Sequence, residues 1–284
     1  MSTLRLAVVT DIHHGRESLT KRGPLALGLL EQALGEAAAF EPDLVIDLGD
    51  RISDVDRDTD LQLSRDVAAV FDAQPLPHRH VLGNHDVDHL TAEDGAELFG
   101  HDMAHSSVDV AGHHVVFWQL DTKIVIGEGF VLRPEDLEWL EADLAATDLP
   151  TVICTHVPLD GGSLRGNFWF QNNAMYGGMP NVDAIQAVIQ GSGKVVACLA
   201  GHVHRNEVNV IDGVPHITVQ SLTESATTDG EACGAWATIE IGDHVHWRTH
   251  GLDSFEVRVP TRRIGQHWKR PLREFGTAKP TAAT

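Results

Sequence analysis

Residues 80–86 have the sequence His80-Val81-Leu82-Gly83-Asn84-His85-Asp86, in which a short apolar run leads into a glycine and three polar side chains. The apolar run predicts the end of a strand, and the glycine predicts a turn directly after it. Asn84 offers a neutral oxygen, and the Asp86 carboxylate is expected to fix the tautomer of the His85 imidazole. Because Asn and Asp also make ordinary local turns, this stretch alone does not establish a functional site.

Four other apolar runs end in the same way, on Asp or His side chains. Runs 4–10, 43–48, 151–155 and 194–200 lead into Asp11-Ile12-His13, Gly49-Asp50, His156 and Gly201-His202-Val203-His204. Ligands of open α/β sheets bind beyond the carboxyl ends of the strands, so we expect these side chains to meet. Their carboxylates, amide and imidazoles predict a metal site, with too many ligands for one ion.

The remaining elements predict an α/β fold. Helical patterns are expected over residues 24–40, about 61–71, 91–99, 133–146 and 181–190, with a solvated acidic loop before the second. Hairpins are expected over 107–120, 207–219 and 235–250. This order fits two mixed β-sheets packed face to face with helices outside.

In order along the chain, the motifs D-x-H, GD, GNHD, H and GHVH resemble the signature of the calcineurin-like metallophosphoesterases. They span residues 11 to 204, and the resemblance implies a four-layer α/β/β/α sandwich. It also implies two metal sites that share one bridging carboxylate. By resemblance, one metal is held by Asp11, His13, Asp50 and His204, and the other by Asp50, Asn84, His156 and His202.

The ligand set contains oxygen and nitrogen but no thiolate, which suits manganese, iron or zinc. Two such ions about 3.5–4 Å apart can share a hydroxide that attacks phosphorus in line with the leaving oxygen. His85 would then protonate the leaving alkoxide, with Asp86 orienting its ring. Candidate substrate contacts, each weakly indicated, are His14, Arg165 and Asn167.

The motif variants GDRISDV and GNHD look most like the branch of class III cyclic-nucleotide phosphodiesterases, glycerophosphodiesterases and ADP-ribose diphosphatases. We therefore expect a hydrolase of small phosphodiesters. A phosphomonoesterase on the same scaffold is the alternative, because the metals do the same work in both; a monoester dianion would want extra positive donors. A scaffold without turnover that binds a partner protein is disfavoured, because every ligand position is present.

The composition limits the kinds of partner that this protein is expected to bind. A net charge of -20 over 284 residues opposes binding to nucleic acid but not to a small phosphate ester beside two cations. No apolar stretch is long enough to cross a membrane. The three cysteines, an odd count in apolar runs, favour reduced thiols and a cytoplasmic location.

We expect the chain to divide into a domain that resembles the metallophosphoesterases, over residues 1–258, and a basic C-terminal tail over residues 259–284. Loop 159–180 is rich in glycine and aromatic residues and lies between His156 and His202, so we interpret it as a substrate lid or pocket wall. The alternative is a packing or dimer surface. A homo-oligomer would form through this loop or through the tail.

Overall fold

Two six-stranded mixed β-sheets form the centre of the computed structural model, which describes residues 2–272. In chain order the strands are β1 (Leu4–Val9), β2 (Glu17–Ser18), β3 (Lys21–Arg22), β4 (Leu44–Asp47), β5 (His78–His80), β6 (Ser106–Val110), β7 (His113–Phe117), β8 (Thr151–Cys154), β9 (Val195–Ala200), β10 (Glu207–Ile211), β11 (Val214–Thr218), β12 (Trp236–Ile241), β13 (His244–His250) and β14 (Phe255–Pro260). The α-helices are α1 (Ala26–Phe40), α2 (Arg57–Asp72), α3 (Ala92–Phe99), α4 (Pro134–Ala146) and α5 (Val182–Ser192).

The first sheet has the strand order β14-β13-β12-β1-β4-β5, and the second has the order β10-β11-β9-β8-β7-β6. Strands β1, β4 and β5 run parallel, as do β7, β8, β9 and β11. The carboxyl ends of neighbouring parallel strands lie at one edge of each sheet. The loops that follow them therefore carry the five motifs to common edges.

Three apolar clusters show how the layers pack. The middle cluster combines first-sheet residues such as Ile46 with second-sheet residues such as Leu199. The outer clusters place α1 and α2 on the first sheet, through Leu30 and Phe71, and α4 and α5 on the second. The order is helices, sheet, sheet, helices, which confirms the expected four-layer sandwich.

Helix α2 begins at Arg57, four residues before the position expected from the sequence. The Asp56 side chain accepts a hydrogen bond from Thr59 N, and acidic residues occupy the first turn. The Asp60 side chain is buried and accepts from Val55 N. The acidic stretch therefore contains the first turn of α2 and its capping side chain. The prediction that this whole stretch forms a solvated loop was wrong.

Strand β14 extends to Pro260, two residues beyond the boundary expected between domain and tail. After it, Gly265 N donates to Gly193 O at 2.9 Å, and the Arg262 side chain is buried. The first part of the basic segment thus lies on its own chain. Residues 273–284, including Arg273 and Lys279, lie outside the described residues, and the two-part division stays a prediction.

Among residues 2–272, no helix combines the length and the apolar character needed to cross a membrane.

Candidate metal centre

The seven predicted ligands converge on the edge where the two sheets meet. Four of them follow β1, β4 and β5 in the first sheet, and the other three follow β8 and β9 in the second. His13, His156 and Asp50 are almost fully buried, whereas Asn84 is half-buried at the mouth of the site. The centre therefore lies across the boundary between the sheets, with one open side.

Three groups of potential ligand atoms form there, each spanning at most 4.8 Å. Two of them are Asp11, His13 and His204 on one side, and Asp50, His156 and His202 on the other. The third, His13, Asp50 and His85, shares a residue with each of these two clusters. In the first cluster, His13 Nε2 lies 2.9 Å from His204 Nε2, and Asp11 Oδ1 lies 3.2 Å from the same nitrogen. Such close ring nitrogens and carboxylate oxygens are the arrangement that a shared cation requires.

Asp50 stands between the two clusters. Its Oδ2 lies 3.8 Å from His13 Nε2 and 3.4 Å from His156 Nε2. Its Oδ1 accepts the backbone N–H of His85 at 2.8 Å, which fixes the carboxylate. Asn84 Oδ1 lies 3.3 Å from His156 Nε2 and so joins the second cluster. One oxygen of Asp50 therefore faces both positions, as a bridging ligand would.

Hydrogen bonds on the far side of each ring select the nitrogen that faces the centre. His156 Nδ1 donates to Leu48 O at 2.8 Å, and His204 Nδ1 donates to Glu224 Oε2 at the same distance. Their Nε2 atoms are thereby left for a cation. His202 has the opposite orientation, because its Nε2 donates to Tyr176 O at 2.6 Å and leaves Nδ1 free. Such partners fix the tautomer of a metal-ligating histidine.

The residues fit two divalent ions. Asp11 Oδ1 is buried and accepts no hydrogen bond from the described residues, while Asp11 Oδ2 accepts from Thr10 Oγ1 and from His202 N. A buried carboxylate oxygen without a donor is costly unless a cation satisfies it. The donors are oxygen and nitrogen only, which suits manganese, iron or zinc and matches the expected ligand chemistry.

The electrostatics of the site also favour bound cations. Burial opposes protonation of His156, but Asp50 raises its pKa to about 9. Burial likewise opposes protonation of His204, but Asp11 and Glu224 raise its pKa to about 9. The carboxylates thus attract positive charge strongly enough to overcome desolvation, and divalent ions would replace those protons.

Several ligands occupy a strained backbone conformation. Positive φ angles occur at Asp11 (50°), His13 (48°), Asp50 (56°), His202 (69°) and His204 (48°). Side chains with a Cβ rarely adopt this region, and the cost is of order 1–3 kcal/mol each. Strain of this kind gathers at functional sites because it aims side chains that a relaxed turn would direct elsewhere.

Glycines allow the backbones of the motifs to approach one another. A Cβ on Gly83 would lie 2.2 Å from Asp50 Oδ1, and a Cβ on Gly201 would lie 2.0 Å from Thr10 Oγ1. Neither neighbour can retreat without moving the buried carboxylates. The glycines of the GNHD and GHVH motifs are therefore required by close packing around the ligands.

His85 lies at the mouth of the centre, with Nε2 3.9 Å from Asp50 Oδ2 and its ring edge-on to the His13 ring. Its Nδ1 is hydrogen-bonded to Asp54 Oδ1, in the loop after β4. The expected orientation of His85 by Asp86 is wrong. The Asp86 carboxylate accepts the backbone N–H groups of Asp50, Arg51 and Gly83 and so stabilises the turn itself.

Each of the three candidate substrate contacts has a partner within the protein. His14 Nε2 lies 3.5 Å from Asp66 Oδ2, on α2. Asn167 uses all its polar atoms within the protein: Nδ2 donates to Val203 O, and Oδ1 accepts from two backbone N–H groups of its own loop. Arg165 is exposed, and its carbonyl accepts from Arg205. His14 and Asn167 are thus engaged by structural contacts.

Three residues beside the predicted ligands were not identified from the sequence: Asp54, Glu224 and Lys21. Lys21 is 6% exposed, and its Nζ lies 3.4 Å from His85 Nε2. Lys21 and Glu224 lie outside the motifs, in segments without strong periodicity. The only signal for Asp54 was its position four residues after Asp50, in a run that also suited an ordinary acidic loop.

Loop 159–180 forms one wall of the centre. The Phe170 ring lies 4.8 Å from the His202 ring, and Trp169 Nε1 donates to Glu224 Oε2 at 2.9 Å. Leu159 and Met179, at its ends, are buried against the second sheet. The loop also lines a cavity of about 250 Å³ beside Val203. These contacts place it where a pocket wall was expected.

Comparisons with known proteins agree with this geometry. A family model described as calcineurin-like phosphoesterase matches residues 4–206. No curated protein matches the chain. Similar solved structures include a dimetal phosphatase from Danio rerio (TM-score 0.73, 16% identity, 92% of this chain and 99% of that one).

Two others are purple acid phosphatase PPD1 from yellow lupin (0.60, 17%, 90% and 53%) and GAP50, the anchor in the inner membrane complex of Plasmodium (0.60, 11%, 93% and 91%). Identities this low show a shared fold alone. The family model, however, spans more than half of the chain and includes all seven predicted ligands. The chain belongs to the calcineurin-like phosphoesterases.

Proposed function

We propose that this protein is a dinuclear-metal hydrolase of small phosphate esters. The observation that carries the proposal is the position of Asp50 Oδ2 between two buried clusters of imidazoles and carboxylates. Asp11, His13, Asp50 and His204 would hold one ion, and Asp50, Asn84, His156 and His202 the other. Two bound ions would acidify a shared water and screen the negative charge of the phosphoryl group.

His85 is the proton donor in this proposal. Its Nδ1 is held by Asp54, so that its Nε2 faces the open side of the centre. As the bond between phosphorus and the leaving oxygen breaks, His85 transfers the Nε2 proton to that oxygen. The Asp54 carboxylate stabilises the charged ring before the transfer. A leaving alkoxide would otherwise depart with a full negative charge.

The substrate is a small ester, because the chain carries a net charge of -20 and would repel a polyanion at its surface. The fold and the ligand set serve diesters and monoesters alike, so the expectation of a phosphodiesterase stays a prediction, as does assembly into a homo-oligomer. A protein without turnover would need neither a held His85 nor an open side on the centre.

The test removes metal from the protein, reloads manganese, and measures hydrolysis of p-nitrophenyl phosphate and bis-p-nitrophenyl phosphate. We expect manganese-dependent turnover of at least one. On an alkyl phosphate, whose alkoxide leaves poorly without a proton, His85→Ala should lower kcat about 100- to 10,000-fold with unchanged metal content. On the two p-nitrophenyl esters the loss should be much smaller, because p-nitrophenolate leaves readily without a proton donor. His244→Ala, on β13, is the matched control. Absence of metal-dependent turnover of either ester would overturn the proposal.

A further inference from the structure

We propose that Lys21 is a phosphate-binding residue that makes the site selective for phosphomonoester dianions over phosphodiesters. The inference rests on the proposed hydrolase function and names its substrate class. It departs from the diester preference expected from the motifs.

The Lys21 ammonium group lies beside the proposed proton donor. Lys21 Nζ lies 3.4 Å from His85 Nε2 and 5.2 Å from the centre of a Trp169 ring. The Trp169 face limits its movement on one side. A charge-bearing atom this close to the proposed proton donor borders the space that a transferred phosphoryl group must occupy.

The Lys21 ammonium group has no ion pair within residues 2–272. Four carboxylates lie near enough to act on it through space, those of Asp11, Asp50, Asp54 and Glu224. None approaches within the distance of a salt bridge, and the contact with His85 is its one polar contact. An ammonium group has three donors. When His85 Nε2 carries the proton used in the proposed mechanism, it cannot accept from Lys21, and all three donors of the buried ammonium lack an acceptor within residues 2–272. That is costly by itself, and an anion bound at the centre would satisfy them.

Backbone contacts hold this lysine in place. Strands β2 and β3 form a small hairpin, and Lys21 forms a β-bridge with Glu224. The backbone N–H of Arg22 donates to Thr223 O at 3.0 Å. A Cβ on Gly23 would lie 2.7 Å from His13 O, so the hairpin packs directly against a proposed ligand. The ammonium is therefore positioned relative to the centre by backbone contacts.

The two substrate classes differ in the number of their non-bridging phosphoryl oxygens. A phosphomonoester dianion has three non-bridging oxygens, and a diester monoanion has two. If two ions each take one oxygen, the monoester keeps a third oxygen for Lys21, and the diester keeps none. Two divalent ions would also balance the four nearby carboxylates, which leaves the lysine charge for the second charge of a dianion.

The experiment compares Lys21→Met with Lys123→Met, a matched change at an exposed lysine, in manganese-loaded protein. For Lys21→Met we expect kcat/KM on p-nitrophenyl phosphate to fall about 10- to 100-fold, the loss of one charge-assisted hydrogen bond, and to change less than about threefold on bis-p-nitrophenyl phosphate. Calorimetry should show inorganic phosphate binding weakened by the same factor. Metal content and the Lys123→Met kinetics should not change.

Equal losses on both esters, or unchanged phosphate affinity, would overturn the inference. Loss of metal from Lys21→Met would also overturn it, because the lysine would then support the centre and not the substrate. If the unmodified protein hydrolyses neither ester but binds phosphate through Lys21, the proposed hydrolase fails while the binding residue stands. The two claims therefore fail by different measurements.

Discussion

At the scale of single residues, His85 shows how a contact can differ from what adjacency in sequence suggests. Asp86 follows it directly and has the right chemistry, yet its carboxylate holds three backbone N–H groups beneath the turn. Asp54 reaches the ring from another loop. Residue types within a motif can be assigned from sequence, but the direction of each side chain depends on the φ and ψ angles of the turn.

This difference gives a paired prediction. Asp54→Asn should lower kcat about tenfold or more with little change in Tm, because it removes the charge that holds His85. Asp86→Asn should lower the free energy of unfolding by roughly 3 kcal/mol, because the carboxylate is buried and accepts three N–H groups beside Arg51. Kinetics and thermal melts of both variants provide the check. A kcat loss confined to Asp86→Asn would restore the assignment made from sequence.

At the scale of elements, the apolar runs that lead into proposed metal ligands were predictable from sequence, and the charged elements were not. Four of the five motif-bearing runs form strands, because buried parallel strands are continuously apolar. In the fifth, Val81 and Leu82 directly follow the polar strand β5. The start of α2 was missed because its cap and first turn are acidic, like a loop. Strand β14 was missed because Glu256 and Arg258 alternate with Val257 and Val259 at a half-exposed edge.

The turn after β9 gives an element-scale prediction with a control in α1. Gly201→Ala should destabilise the protein and weaken metal binding, because its Cβ would meet Thr10 Oγ1 and Asp11 Oδ2. Gly28→Ala, inside α1 with no atom within 4 Å of its added Cβ, should stabilise by about 0.5–1 kcal/mol. Chemical unfolding would measure both. A neutral Gly201→Ala would show that the turn relaxes more freely than its packing indicates.

At the scale of the whole molecule, the centre joins two sheets that otherwise meet through apolar packing. Its ligands come from both, so bound ions would cross-link the middle of the sandwich. Chelation should lower Tm, and manganese should restore it in a concentration-dependent way, because ligands that bind only the folded state add RT ln(1 + [L]/Kd). At about 100 times Kd this term is about 2.7 kcal/mol.

Thermal melts across a manganese titration are the measurement, with magnesium as a comparison ion. His156→Ala, which removes a proposed ligand from the second sheet, should reduce the gain in Tm. The same gain in this variant would mean that the ions bind elsewhere.

The pairing of β1 with both β4 and β12 has a consequence for synthesis on the ribosome. The second sheet comes from one uninterrupted stretch, residues 106–218, whereas the first combines residues 4–80 with residues 236–260. All seven proposed ligands have been translated by residue 204, before the strand that covers the far side of β1 exists. Until translation passes residue 241, that apolar edge has no partner of its own. A cell that makes this protein must keep the edge from pairing with other chains during that interval.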